Sequence, residues 1–270
     1  MASRKEQKEA ARQRRLAEEQ ARAERARRDR RLRMLGGTVV GAIVIVVVAI
    51  AISSGGSSAK VVKPNSPAAK QAQSTVNKLL AGIPQSGNTL GSPSAKVTLT
   101  EYGDLVCPIC KDLALGAENQ LISNEVRSGK VKLVYKALET ASQQANDAMF
   151  VPSQTGMLAA GTQKKAWNYI ELFYHEQGDE TNSYVTDNYL GGLAKQIPGL
   201  NFSKWDSDRQ SSAFASTVKA DETAGAAAAQ SVGQQPATPE LVIAGPKSQA
   251  QPIIGNATYS QLQSAINQVS

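Results

Sequence analysis

The chain is poor in the residues from which metal centres are assembled. Its 270 residues include one histidine, His175, and two cysteines. Thiol and imidazole groups therefore fall one short of the four ligands of a structural zinc site. At most one disulfide can form. Basic charge is also scarce where a nucleic-acid-binding domain would need it. The formal net charge is +7, but residues 1–33 hold 13 Lys/Arg against 6 Asp/Glu, and the other 237 residues hold 17 of each. Beyond residue 33 the chain is electrically balanced, so no nucleic-acid partner is expected. There is no internal repeat.

Long apolar runs are absent except for one. Met34–Ile52 (MLGGTVVGAIVIVVVAIAI) carries no charge in 19 positions. At 1.5 Å per residue it reaches about 28 Å, close to the ~30 Å hydrocarbon core of a bilayer. This predicts a single transmembrane helix over 34–52. Arg27, Arg28, Arg30, Arg31 and Arg33 crowd its N-terminal flank, whereas only Lys60, Lys63 and Lys70 follow closely. The excess of basic residues predicts a cytoplasmic N-terminus, with residues 53–270 outside. Ala49-Ile50-Ala51 resembles a signal-peptidase site, which is the competing reading; the 33-residue leader and the long apolar run favour an uncleaved anchor. Residues 1–33 read as a basic cytoplasmic arm, either resting on anionic headgroups or simply setting topology.

Ser53–Pro67 is rich in Ser, Gly and Pro, and Ala68–Ala81 has helical spacing. Residues 53–85 are therefore expected to be a linker with one short helix. A domain is expected over 86–270. Val97–Tyr102 (VTLTEY) predicts a strand, and a helix follows to about Arg127. Its apolar residues Leu113, Ala117, Leu121 and Ala114, Ile122, Val126 recur at helical spacing. Val131–Leu138 predicts a second strand, parallel to the first. From about 141 to 235 the pattern is helical, with Trp167/Tyr169, Phe173/Tyr174 and Phe202/Trp205 as its core. ELVIA (240–244) and QPII (251–254) predict a hairpin, and 259–269 a closing helix. The fold class is α/β.

What little sulfur there is sits together, in Cys107-Pro108-Ile109-Cys110. At i and i+3 on a helix the two residues share a face, near the ~5.5 Å Cα separation of a disulfide. Cys107 falls at the first turn, where free N–H groups and the helix dipole favour a thiolate. Pro108 suits the first helical position. Cys107 is therefore expected to be the exposed attacking sulfur, with Cys110 one turn deeper to resolve a mixed disulfide. A three-residue loop constrains an unfolded chain little, so a purely structural disulfide is disfavoured. Copper(I) binding by the thiolates is a minor alternative. His175 reads as a surface or capping residue.

The run GSPSAKVTLTEYGDLVCPIC, with a later Thr238-Pro239 entering a strand, resembles the DsbA-like branch of the thioredoxin-fold thiol-disulfide oxidoreductases. The resemblance covers about 86–270, and the N-terminal anchor resembles membrane-tethered members of Gram-positive, especially actinobacterial, type. It implies Cys107 as nucleophile and Cys110 as resolving cysteine. It also implies Pro239 as a cis-proline facing the dithiol, with Thr238 before it. Glu101 matches an acidic residue buried behind the dithiol; the plainer alternative is an ordinary strand-end residue. No cofactor is implied beyond the redox-active disulfide. The implied partners are cysteine-containing exported proteins and a quinone-linked membrane reoxidant. Strongly oxidising members often carry His where this chain has Ile109, so a milder oxidant is expected. A reductase, an isomerase, or a tethered peptide- or copper-binding module stays open.

Overall fold

The structure, a computed structural model, describes residues 65–142 and 147–270. The expected arm (1–33), span (34–52) and first part of the linker lie outside these residues. Among the described residues, no helix is long and apolar enough to cross a membrane.

The first described helix, α1 (Pro67–Leu80), starts where the Ser66 side chain accepts from the Ala69 N–H at 3.1 Å. Its Ala69, Ala72, Val76 and Leu80 are buried and, Ala69 apart, join the main core. The short helix expected over Ala68–Ala81 is present, and what the linker reading did not include is its packing into the core. Three- and four-residue spacing of small and apolar side chains gives this helix a face that must be covered. It packs chiefly against the helix over Ala166–Glu176, and the described residues fall in one compact unit.

Two short strands follow, β1 (Gln85–Ser86) and β2 (Thr89–Leu90), then β3 (Val97–Gly103). The next helix, α2, is a composite. It begins as Pro108–Leu113, widens into π turns at Ala114–Glu118 and Ile122–Val126, and is α-helical between them at Asn119–Leu121. Sequence periodicity explains the widening. Buried residues recur at Cys110, Ala114, Glu118, Ile122 and Val126, a strict spacing of four. An α-helix turns about 100° per residue, so each step of four drifts about 40° and the line would wrap around the helix. The two wider turns absorb that drift and keep the line on one face. Gly129, at φ +79°, ends the segment in a conformation that glycine adopts without strain.

β4 (Val131–Ala137) pairs parallel with β3 from Val97↔Val131 to Gly103↔Ala137, as expected for strand–helix–strand. After a 3₁₀ turn (Asp147–Met149) come α3 (Phe150–Gly161), α4 (Ala166–Glu176), α5 (Asp187–Lys195), α6 (Phe202–Asp208) and α7 (Ser212–Ser231). Trp167, Tyr169, Phe173 and Trp205 are wholly buried in this helical insertion. Phe173 meets Tyr189 edge-on at 5.3 Å between centroids, the arrangement their quadrupoles favour. The Trp205 indole N–H donates to the Gly156 carbonyl at 2.8 Å.

β5 (Glu240–Ala244) and β6 (Ile253–Ile254) form the expected hairpin, with its second strand shorter than QPII. α8 (Tyr259–Val269) starts from a capping box between Thr258 and Gln261. The sheet order is β1-β2-β4-β3-β5-β6, antiparallel except for β3 with β4. Register puts Glu101, Tyr135 and Leu241 side by side in the two central pairings. The other face carries Tyr102, Lys136 and Glu240, and α7 packs there through an Asp221–Lys136 ion pair.

Candidate active site

Cys107 is the N-cap of α2, at the C-terminal end of β3, and Cys110 lies within the first turn. Both are free thiols. Cys110 is fully buried, as expected, but Cys107 is only 5% exposed rather than open. The cover is Thr238: the Cys107 thiol donates to its carbonyl oxygen at 3.6 Å. The Thr238-Pro239 peptide bond is cis, as the resemblance implied. The structure thus brings together Cys107, Cys110 and the Thr238-Pro239 wall, and places Glu101 beneath them.

The two thiols are electrically unlike. A hydrogen bond from the Cys110 thiol is the largest influence on Cys107 and lowers it to about 7. The Thr238 side chain and the N–H groups of Cys110 and Ile109 act the same way; burial opposes them. The Thr238 carbonyl, which accepts from the Cys107 thiol, favours the protonated form, so Thr238 acts in both directions. Cys110 moves well above its ordinary value, first through burial and then because its hydrogen serves Cys107. Cys107 is the thiolate-forming sulfur and Cys110 keeps its proton.

Three residues that sequence reasoning missed hold this turn. Asp104 is fully buried and accepts from the Val106 N–H at 3.0 Å, the Ser142 N–H at 2.9 Å and the Ser142 hydroxyl. Thr140 donates its N–H to the same carboxylate, and its hydroxyl bonds that of Thr238. Gln177, just past α4, donates to the carbonyls of Leu105 at 2.8 Å and Cys107 at 3.0 Å. Gln177 had no signal in the sequence. Asp104 had a weak one, an acid directly after a strand. Gly103 leaves room for Tyr135: a Cβ there would lie 2.8 Å from the Tyr135 ring and hydroxyl.

Glu101 is buried and held well above the usual carboxylate range, first by burial and then by Glu118. His175 is half-buried near Lys111, which with burial lowers its proton affinity; it is not among the groups acting on Cys107. Among the described residues no cluster of His, Cys, Asp and Glu is arranged to hold a metal ion. Ile109 and Val151 are the exposed large apolar side chains of the described residues. An open groove of about 800 Å³ starts at Thr140 and runs past Leu138, Thr223, Ala226 and Pro236.

A family model described as thioredoxin matches residues 85–268. Disulfide bond formation protein D of Bacillus subtilis (strain 168) is 24% identical over 139 residues, 49% of this chain and 58% of that protein. The probable disulfide bond formation protein D of Bacillus anthracis is 22% identical over 140 residues, 49% and 60% of the two chains. The chain thus spans less than two thirds of the curated relatives it matches. Oxidised BdbD from Bacillus subtilis superposes with TM-score 0.55 at 22% identity, covering 70% of this chain and 96% of that one. For Chlamydia trachomatis DsbA the TM-score is 0.54 at 18% identity, with 67% and 90% covered. These likenesses establish the fold.

Proposed function

The chain belongs to the thioredoxin family, and on that premise we propose that it is a thiol-disulfide oxidoreductase that forms disulfides in exported proteins. The observation that carries this is the asymmetry of the dithiol: Cys107 is lowered to about 7 and Cys110 is raised. A substrate thiolate attacks Cys107 of the Cys107–Cys110 disulfide, and Cys110 leaves and takes up a proton. The second substrate thiol then attacks the mixed disulfide. Cys107 departs as a thiolate, and the substrate keeps the new disulfide. A sulfur with depressed proton affinity is the better leaving group in that last step.

Thr238-Pro239 forms the opposing wall, where an extended substrate segment would pair with the Thr238 backbone. Exposed Ile109 beside the reactive sulfur and the groove from Thr140 suit a polypeptide. Glu101 would hold or move a proton for Cys110. The Bacillus relatives are named for disulfide bond formation, which supports this direction. The apolar run 34–52 and its basic flank support a single-pass anchor, a cytoplasmic N-terminus and an extracytoplasmic domain, where disulfides persist. A quinone-linked membrane protein would reoxidise the dithiol, and tethering would raise their effective concentration.

Ile109 carries no charge to stabilise the thiolate, which favours a mild oxidant and keeps a reductase or isomerase as the second reading. Titrating the full chain against glutathione decides between them. A potential well above thioredoxin's ~−270 mV, with stoichiometric oxidation of a reduced unfolded protein, supports the oxidase; a potential at or below it favours the reductase.

A further inference from the structure

Behind the dithiol lies a group of acids that the exchange reaction as described does not use. Glu101 on β3, Glu118 on the first π turn of α2 and Glu171 on α4 are each at most 2% exposed. Both carboxyl oxygens of Glu101 and of Glu171, and one of Glu118, are buried without a hydrogen-bond partner of the donor kind among the described residues. Yet the Glu101 and Glu118 side chains are within hydrogen-bonding reach of each other. Two ionised carboxylates have no hydrogen to place between them, so that contact is a bond only when the pair holds a proton. Two like charges side by side in a dry interior would be strongly disfavoured.

We propose that Glu118 is a positioning residue for the dithiol, sharing a buried proton with Glu101 so that the two carboxyls together supply and recover the proton of Cys110. The inference rests on the thiol-disulfide exchange proposed above and assigns it a second acid.

Glu118 reaches this place because of the helix's irregularity. It belongs to the spacing-of-four line that starts at Cys110, and the π turn Ala114–Glu118 keeps that line on the buried face. The groups acting on Glu101 are Glu118, Glu171 and Cys107, and all of them, with burial, favour its protonated form. Glu101 in turn acts on Cys110, on Tyr135 of β4 and on Tyr174 of α4. Glu118 faces Glu101 and Glu171; burial raises it, and the Glu101 hydrogen bond works the other way.

The step balances without any outside reagent beyond the substrate. The substrate thiolate forms a bond to the Cys107 sulfur, and the Cys107–Cys110 bond breaks with both electrons on Cys110. The Cys110 thiolate takes the Glu101 proton. Before this step both carboxyls are protonated, the form burial favours for each; afterwards the one proton left lies between Glu101 and Glu118, so one negative charge is spread over two carboxyls instead of standing alone in the interior. Reoxidation needs the disulfide of the proposed membrane reoxidant: Cys107 forms the mixed disulfide with it, Cys110 returns its proton to the carboxyl pair and attacks Cys107, and the reoxidant's sulfur leaves as a thiolate.

Carboxyl-carbon NMR of the full unaltered chain tests this without a variant. The Glu101 and Glu118 signals should each show both steps of one coupled titration, and both should change when the disulfide is reduced. Independent single-step curves would overturn the proposal. Glu118→Gln is the companion variant, accepted only if its far-ultraviolet circular dichroism matches the parent. It removes the charge that holds the Glu101 proton, so the alkaline limb of the exchange-rate profile should move to lower pH by roughly one unit or more. A profile that Glu101→Gln alters and Glu118→Gln leaves unmoved sinks the pair while sparing the exchange reading. If the Cys107→Ser chain still exchanges disulfides, that underlying reading itself has failed.

Discussion

The Cys107 thiol donates to the carbonyl oxygen of Thr238 at 3.6 Å, joining residues 131 apart in sequence. One sulfur is thereby capped by the residue ahead of a cis-proline, while its partner Cys110 is sealed beneath it. The chemistry follows from that asymmetry.

The reactive thiol should titrate near neutrality. Cys107 is lowered to about 7, through the Cys110 hydrogen bond first. Alkylation of the reduced full chain should therefore rise with pH through a midpoint of about 7 and modify Cys107, leaving Cys110 protected. A midpoint at the ~8.5 of a free cysteine would contradict the described hydrogen bonding.

Gln177 ties the insertion to the active turn through two carbonyls, those of Leu105 and Cys107. Gln177→Leu should lower stability by about 1–3 kcal/mol, since both acceptors lose their donor. Hydrogen exchange should quicken at residues 105–107 more than in the distant α8. Unchanged exchange there would show that the turn holds itself.

The close approach of Gly103 and Tyr135 sets up a double-mutant cycle. A Cβ at 103 would lie 2.8 Å from the Tyr135 ring. Gly103→Ala should destabilise by about 1–3 kcal/mol. In a Tyr135→Ala background the same change should cost distinctly less, giving a measurable coupling energy. Additive losses would mean that the ring moves aside freely.

Much of this was legible beforehand, and the reasons are local. Val97–Gly103 and Val131–Ala137 announce themselves by β-branched residues, and the dithiol by its position between them. α8 was legible to the residue, because Leu262, Ile266 and Val269 define its face. Glu101, Thr238 and Pro239 were reached only through resemblance, since nothing in a lone Thr-Pro specifies a position opposite a sulfur. Glu118 was nearly legible: the line Ala114, Ile122, Val126 skips position 118, and an acid on that line had to be buried. An α-helical period hides this, because only the π turns keep all four residues on one face. The helix of α1 was legible in the spacing of Ala68–Ala81, but its place in the core was not: its face of Ala69, Ala72, Val76 and Leu80 is weakly apolar, and whether such a face is covered depends on distant α4. Gln177 and Thr140 act across 70 and 98 residues, beyond any local pattern.

Glu240, directly after Pro239, is buried without a partner, and burial raises it to about 7. Its folded value lies above the ~4.3 of an unfolded chain. Its stabilising contribution is therefore complete below about 4.3 and is lost as pH rises through about 7. Glu240→Gln should flatten that part of the stability–pH curve and leave the protein about 1 kcal/mol or more stabler above pH 7. An unchanged slope between about pH 4.3 and 7 would contradict this.

The most direct test of the account is to trap the exchange. The full chain carrying Cys110→Ser, with Cys107 first activated as a mixed disulfide to a small thiol, should accumulate with an unfolded protein bearing a single thiol a covalent adduct through Cys107 that dithiothreitol releases. Cys107→Ser should form none and should lose exchange activity by a factor of at least about a hundred. Adducts forming through Cys110, or exchange persisting in Cys107→Ser, would contradict the assignment of attack to Cys107 and resolution to Cys110.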